Sequence, residues 1–176
     1  ILAKAKLRTL HRTLTRVRHV TFMPHWLTIP FLAALVLHVL VQLWLSHRQT
    51  RHVTAHRDDV PPTFADAVSA AEHRKAADYT VARQRFSRLE LVYDAILLLA
   101  LTLGGGIAAL GRLATAIAGS NSIGTGTLHV LLVLLAMSLA TLPFSVWRTF
   151  VLEARFGFNR TTPAVFVADL LKAAAL

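Results

Sequence analysis

The chain has 176 residues, of which 55% are hydrophobic and only 16% are charged, and its mean hydropathy is +0.53. This apolar share is well above that of soluble domains and argues against a water-soluble enzyme. The formal net charge is +10, but six of the basic residues fall within the first 22 residues, so the excess is a local basic arm and not a nucleic-acid-binding surface. The absence of cysteine excludes disulfides, thiol catalysis, zinc–thiolate sites and iron–sulfur clusters.

The basic arm, residues 1–22, contains no acidic residue. Three interpretations remain open: translated upstream sequence with Met23 as the natural start, an amphipathic surface helix, and an Arg-rich organellar presequence. We favour the first, because Met23 stands directly before the first apolar segment. Residues 1–22 are therefore treated as an extension that need not be native, and residues 23–176 as the domain.

Three windows are apolar over the roughly 20 residues that a membrane-spanning helix needs: residues 26–45, 91–110 and 128–147. A fourth apolar run, residues 164–176, is too short to span and has no C-terminal cap, so we expect a helix that is cut in the middle. The predicted fold is all-α: a polytopic membrane protein with three complete transmembrane helices and a truncated fourth. We expect a multi-pass protein of the bacterial inner membrane.

Basic residues in the loops predict the orientation. Residues 46–90 hold eight Lys or Arg residues and residues 148–162 hold three, whereas residues 111–127 hold only Arg112. Short loops rich in Lys and Arg stay on the cytoplasmic side, which places residues 46–90 and 148–162 inside and residues 111–127 outside. The basic arm would then lie on the outer side, a further reason to treat it separately.

The long inner loop is predicted to contain an amphipathic cytoplasmic helix. Thr63 follows two prolines and has Asp66 three residues later, which is the pattern of a helix N-cap. We therefore expect a helix from Phe64, with a break near Tyr79, that runs into the second span and presents its basic face to anionic lipid.

Polar groups inside a membrane are costly and are candidates for function. Asp94 lies about one turn inside the second span, and we expect it to pair with Arg88 or Arg85; a catalytic or transport role is the alternative. We expect His38 and His129 to be hydrogen-bonded interior histidines. Haem ligation is the less favoured alternative, because each is alone on its predicted spanning helix.

Two glycine-rich runs need an interpretation. Residues 104–106 predict either a packing surface for another helix, which we prefer, or a kink. Residues 119–126 have the glycine spacing of a phosphate loop, but Thr125 stands where the lysine must be, so a nucleotide site is excluded.

The most distinctive segment is residues 147–172, which contains Phe156-Gly157-Phe158-Asn159, two threonines and an Asp-x-x-Lys helix beginning at Asp169. It resembles the loop and following helix in the N-terminal membrane domain of the type-1 CAAX prenyl proteases, which are integral-membrane zinc metallopeptidases. Residues 76–80, with Arg83 and Phe86, are similar to the family's segment before the second span. The resemblance covers about residues 23–176.

The same residues have local roles. Gly157 permits a tight turn or a positive φ between two aromatic residues, and Thr161-Thr162-Pro163 is typical of a helix start. We expect two ion pairs to order the loop, one between Glu153 and Arg155 and one between Asp169 and Lys172.

The resemblance implies a zinc ion held by a His-Glu-x-x-His helix and a distant Glu, but this chain has no His-Glu pair. We therefore expect no catalytic or metal-binding residue in this segment, an inactive fragment, and zinc in the full-length protein. The resemblance implies proteolysis of prenylated CAAX or other membrane-associated peptides by that protein.

The residues expected to face the missing C-terminal catalytic region or the substrate chamber are Glu153, Arg155, Phe156, Gly157, Phe158, Asn159 and Asp169. Expected partners are the lipid bilayer, that catalytic region and a membrane-associated peptide, and no nucleic acid. The alternative function is a non-catalytic membrane scaffold or assembly factor.

Overall fold

The computed structural model describes residues 25–64, 68–119 and 123–175, and every regular element in these ranges is helical. The basic arm lies outside the described residues. The order is α1 (His25–Ala55), a 3₁₀ turn (Pro62–Phe64), α2 (Ala70–Thr102), α3 (Gly106–Ala118), α4 (Ile123–Trp147), a π-helical segment (Arg148–Glu153) and α5 (Pro163–Ala175). The all-α expectation is confirmed for this part of the chain.

Two segments are long and apolar enough to cross a membrane, Trp26–Ala55 and Ile123–Glu153. They contain the first and third predicted windows. The second window is not one straight helix, because α2 and α3 meet at a 54° bend; together they form either a broken span or a re-entrant loop. The fourth apolar run forms α5, which has 13 residues.

Most large apolar side chains of these helices are exposed, and within the described ranges only Ala77, Ala114 and Leu152 are buried apolar residues. An exposed apolar surface of this extent is typical of helices that contact lipid or further helices.

The bend comes from the glycine run. Gly105 has φ +78°, a conformation that side-chain-bearing residues rarely adopt. A Cβ on Gly104 would lie 2.5 Å from the Ala100 carbonyl oxygen, and one on Gly106 would lie 2.9 Å from Leu101 Cα. The run folds back against the last turn of α2, so it is a kink, the second of the two interpretations given above.

The predicted start of the inner-loop helix at Thr63 is wrong. Thr63 lies in the 3₁₀ turn, Asp66 is outside the described residues, and α2 begins seven residues later at Ala70. Its N-cap is Ser69, whose hydroxyl accepts from the Glu72 backbone N–H at 3.2 Å while the Glu72 carboxylate accepts from the Ser69 N–H at 3.0 Å. The hydrogen bonds from the Ser69 side chain and backbone hold the pKa of Glu72 below its usual range.

The break expected near Tyr79 is also wrong, because α2 is continuous there.

The helices pack as two pairs, α1 with α2 and α3 with α4. Ser46 of α1 donates to Gln84 of α2 at 2.9 Å, and Arg57, which follows α1, pairs with Asp78 of α2 at 2.7 Å. In the second pair His129 Nε2 lies 3.0 Å from the Ile107 carbonyl oxygen, which it can reach as a donor. His129 therefore has the hydrogen-bonding role between two helices that was expected. The same expectation is wrong for His38, which is exposed and forms no hydrogen bond within the described residues.

Candidate functional site

The candidate site is the loop between the π-helical segment and α5, and its shape is set by a Schellman motif at Gly157. The Gly157 N–H donates to the Ala154 carbonyl at 3.0 Å and the Phe158 N–H donates to the Glu153 carbonyl at 2.9 Å. Gly157 has φ +70°, as this helix-ending motif requires of the residue after the C-cap. The prediction of a positive φ at Gly157 is confirmed.

The loop then turns directly into α5. The Asn159 side-chain oxygen accepts from the Thr161 N–H at 2.7 Å, and the Thr162 hydroxyl accepts from the Val165 N–H at 3.3 Å. Pro163 is the first residue of α5, where its fixed φ fits and its missing N–H costs nothing. The helix start predicted at this run is confirmed.

Tyr79 of α2 packs between the two aromatic residues that flank Gly157. Its ring centroid lies 5.5 Å from that of Phe156 and 4.8 Å from that of Phe158, at interplanar angles of 69° and 64°. Edge-to-face pairs of this kind contribute about 0.5–1.5 kcal/mol each beyond the area they bury. Lys75 Nζ lies 5.2 Å from the centroid of Phe158, a favourable cation–π distance. The two segments that carry the family resemblance therefore contact each other, and we call this contact the Tyr79 clamp.

A part-buried ion pair lies at the other end of the same region. Arg148 Nη2 donates to both carboxylate oxygens of Glu90, and the side chains are 39% and 16% exposed. This pair was not predicted from the sequence, although the sequence contains a signal for it. Glu90 immediately precedes the second predicted span and Arg148 immediately follows the third, so the predicted topology brings both to the same membrane surface.

An aromatic layer also joins α2 to α4. The Tyr93 ring centroid lies 4.6 Å from that of Phe144. The ring of Phe86, which is on the same helix as Tyr93, lies 5.9 Å from that of Phe144. The Tyr93 hydroxyl donates to the Ala140 carbonyl at 3.0 Å. Pro143 has no N–H and interrupts the helical hydrogen bonds of α4 at this point, so Tyr93 attaches where α4 is locally weakened.

One of the two ion pairs expected in the loop is absent from the described residues. Glu153 and Arg155 do not pair; the Arg155 guanidinium lies over the Phe156 ring at 5.9 Å instead. The two are two positions apart, and residues at that spacing do not face each other on a helix. Lys172 and Asp169, three positions apart, do pair at 3.4 Å, with both side chains more than half exposed.

Asp94 lines an open cavity of about 280 Å³ between α1 and α2, together with Gln42, Arg88 and Glu90 among others. The cavity therefore adjoins the Glu90–Arg148 pair. The predicted pairing with Arg88 or Arg85 is wrong: neither arginine forms an ion pair with Asp94 in the part of the chain that the structure describes. On a continuous helix these arginines are six and nine positions away, whereas side chains meet at three or four.

The described residues do not form a metal centre, since no three His, Asp or Glu side chains among them come together at distances that would hold a metal ion. The loop residues therefore do not fit a zinc site. The arrangement offers a surface of packed aromatic rings, with a loop held by backbone hydrogen bonds, at one end of the helices.

Comparison with known proteins gives concordant matches. A family model described as CAAX prenyl protease N-terminal, five membrane helices, matches residues 49–176. The human CAAX prenyl protease 1 homolog is 31% identical over 153 residues, which cover 81% of this chain and 32% of the relative. The probable CAAX prenyl protease 1 of Schizosaccharomyces pombe is 26% identical over 146 residues, 76% of this chain and 30% of the relative.

A solved structure shares the fold. The crystal structure of S. mikatae Ste24p matches with a TM-score of 0.72 at 21% identity, over 81% of this chain and 34% of that chain. The chain thus spans about a third of the length of the relatives that it matches.

Proposed function

Because the chain belongs to the CAAX prenyl protease family, we propose that it is the N-terminal transmembrane portion of a membrane zinc metalloendopeptidase. The full-length protein would cleave prenylated CAAX or other membrane-associated peptides, and the 176-residue chain would be inactive by itself. The names of the human and S. pombe relatives support the substrate class. Zinc would be bound by residues outside this segment, because those described here do not fit it.

The role we propose for this chain is to hold the loop of residues 154–162 in one fixed shape against the catalytic region. The Tyr79 clamp is the observation that carries this proposal, since it joins α2 to the loop across 77 and 79 positions of sequence. Glu153, Arg155, Asn159 and Asp169 stay candidates for facing the catalytic region or the substrate.

The lipid bilayer is the environment of this family. The human and S. pombe relatives are eukaryotic, so the bacterial inner membrane stays a prediction. Fractionation of the native host would test it.

The first experiment is to read the coding sequence beyond codon 176. A continuing frame that encodes His-Glu-x-x-His supports the proposal. A stop codon without that motif would leave a non-catalytic membrane scaffold, and the protease assignment would hold only as ancestry.

The role of the clamp is tested in the longer gene product. Tyr79→Ala is expected to lower the cleavage rate of a farnesylated CAAX peptide by about tenfold or more, because small displacements of a positioning element are costly to catalysis. Tyr79→Phe keeps the ring contacts and should retain activity. Arg85→Gln is a control at an exposed position of α2, and equal losses in Tyr79→Ala and Arg85→Gln would contradict a specific role.

A further inference from the structure

A groove lies on one face of α1, beyond the apolar part of the helix. It has a volume of about 390 Å³ and is open to solvent. The side chains that line it are exposed and are mostly aromatic or basic: Trp44, His47, Arg48, Arg51, His52 and His56. Their spacing of three and four positions places them on the same face of the helix.

The two arginines of this groove are not neutralised. Among the described residues, no carboxylate side chain lines the groove, and Asp78 and Asp58 pair with Arg57 at 2.7 Å and with Arg74 at 2.8 Å. Within residues 25–64, 68–119 and 123–175, neither Arg48 nor Arg51 has a carboxylate partner. The guanidinium of Arg48 lies over the Trp44 ring at 5.8 Å, which holds its charge beside the indole.

The position of the groove along α1 matches the headgroup layer of a bilayer. Trp26 and Trp44 are 18 positions apart, which is about 27 Å along a helix and close to the thickness of the hydrocarbon core, about 30 Å. Tryptophans at both ends of a span mark the two membrane interfaces. Arg48 then lies about 6 Å beyond the inner interface, and helical side chains lean toward the N-terminus, which for α1 is back toward the membrane.

We propose that this groove binds the phosphate headgroup of an anionic phospholipid. Arg48 and Arg51 supply the charge and the forked donors that suit a phosphate. The Trp44 ring lies against the upper acyl chain, and His47 and His52 add further donors at the same level. The site is distinct from the basic face of α2, for which the sequence predicts general contact with anionic lipid.

Trp44 itself can report the lipid beside it. In the Trp26→Phe/Trp147→Phe background it is the sole tryptophan of the chain, and lipids with brominated acyl chains quench an indole only on contact. The full chain would be reconstituted in mixed vesicles of phosphatidylcholine and phosphatidylglycerol, with the bromine on one lipid and then on the other. We expect phosphatidylglycerol to bind beside Trp44 about fivefold more tightly, the effect of one Lys or Arg at an anionic surface.

The variants separate a defined site from diffuse charge. Arg48→Gln/Arg51→Gln should abolish the preference for phosphatidylglycerol over phosphatidylcholine. Arg48→Lys/Arg51→Lys should keep most of that preference. Arg83→Gln/Arg85→Gln removes the same charge from exposed positions of α2 and should leave the preference unchanged. Equal quenching by both lipids in the reporter background, or equal losses in both Gln variants, would overturn the proposal. Reversal of the preference by inorganic phosphate would show a site for free phosphate and would overturn it too.

Discussion

Replacing Glu90 by Gln is expected to lower the free energy of unfolding by about 2 kcal/mol. Truncating one partner of a fully buried ion pair costs about 3–5 kcal/mol, because it leaves an uncompensated charge, while an exposed pair contributes about 0–1 kcal/mol. Glu90 is 16% exposed and Arg148 is 39% exposed, which places this pair between the two limits. Arg148→Gln should cost a similar amount.

The double variant isolates the interaction. If the carboxylate and guanidinium stabilise each other as the contact indicates, the double variant should be about 1–2 kcal/mol more stable than the sum of the single effects predicts. The assay is unfolding in mixed detergent micelles by increasing dodecyl sulfate, followed by far-ultraviolet circular dichroism and by fluorescence. In the Trp26→Phe/Trp44→Phe background the emission comes from Trp147, the neighbour of Arg148.

The Asp169–Lys172 pair provides a matched control in the same chain. Its side chains are 63% and 74% exposed and its atoms are 3.4 Å apart, so its coupling energy should stay below about 0.5 kcal/mol. Equal coupling energies for the two pairs would refute the argument that burial strengthens the Glu90–Arg148 contact.

Three further predictions concern single positions. Gly157→Ala should cost about 1–2 kcal/mol in the same unfolding assay, because alanine is strained at φ +70°; Gly126→Ala, which meets open space and has no positive φ, is its control. Tyr93→Phe should cost about 1 kcal/mol by removing the donor to Ala140, and an unchanged midpoint would show that the hydroxyl contributes nothing. The capping box of α2 stabilises the helix start when Glu72 is ionised, and folding lowers the pKa of Glu72. The stabilisation is therefore fully present above the pKa that Glu72 has in the unfolded chain. It is lost as the pH falls through the lower pKa of the folded state. Hydrogen exchange in the first turn of α2, corrected for the intrinsic rate, should rise over that acidic range, and Glu72→Gln should remove the dependence.

The helices that were predicted well are those whose signal is local. Long apolar runs identify α1 and α4, because the need for about 20 apolar residues per span is read from one window. The positive φ at Gly157 and the start of α5 at Pro163 were predicted for the same reason, since glycine and proline restrict the backbone wherever they stand.

The start of α2 shows a local signal that was overlooked. Ser69 is followed three positions later by Glu72, which is the full capping-box pattern, whereas Thr63 is followed by Asp66. The break near Gly105 was one of two interpretations because a glycine run favours both close packing and a kink, and only the path of the following chain decides between them.

The contacts of the candidate site were hardest to predict, because they join distant positions. Tyr79 meets Phe158 and Glu90 meets Arg148 only when the helices are placed side by side. The pairings predicted for Asp94 and for Glu153 failed on helical geometry, which a check of spacing against three and four positions would have excluded. The orientation of the spans did contain the information needed for Glu90 and Arg148.

The pairing of α1 with α2 and of α3 with α4 bears on how the chain enters a membrane. Each pair consists of neighbours in sequence, and the two pairs are joined by fewer contacts through the bend at Gly105. Transmembrane helices form first and associate afterwards, so the first hairpin can assemble while the second is still being synthesised. The Glu90–Arg148 pair and the Tyr79 clamp would form last, because Arg148, Phe156 and Phe158 follow α4 in the chain.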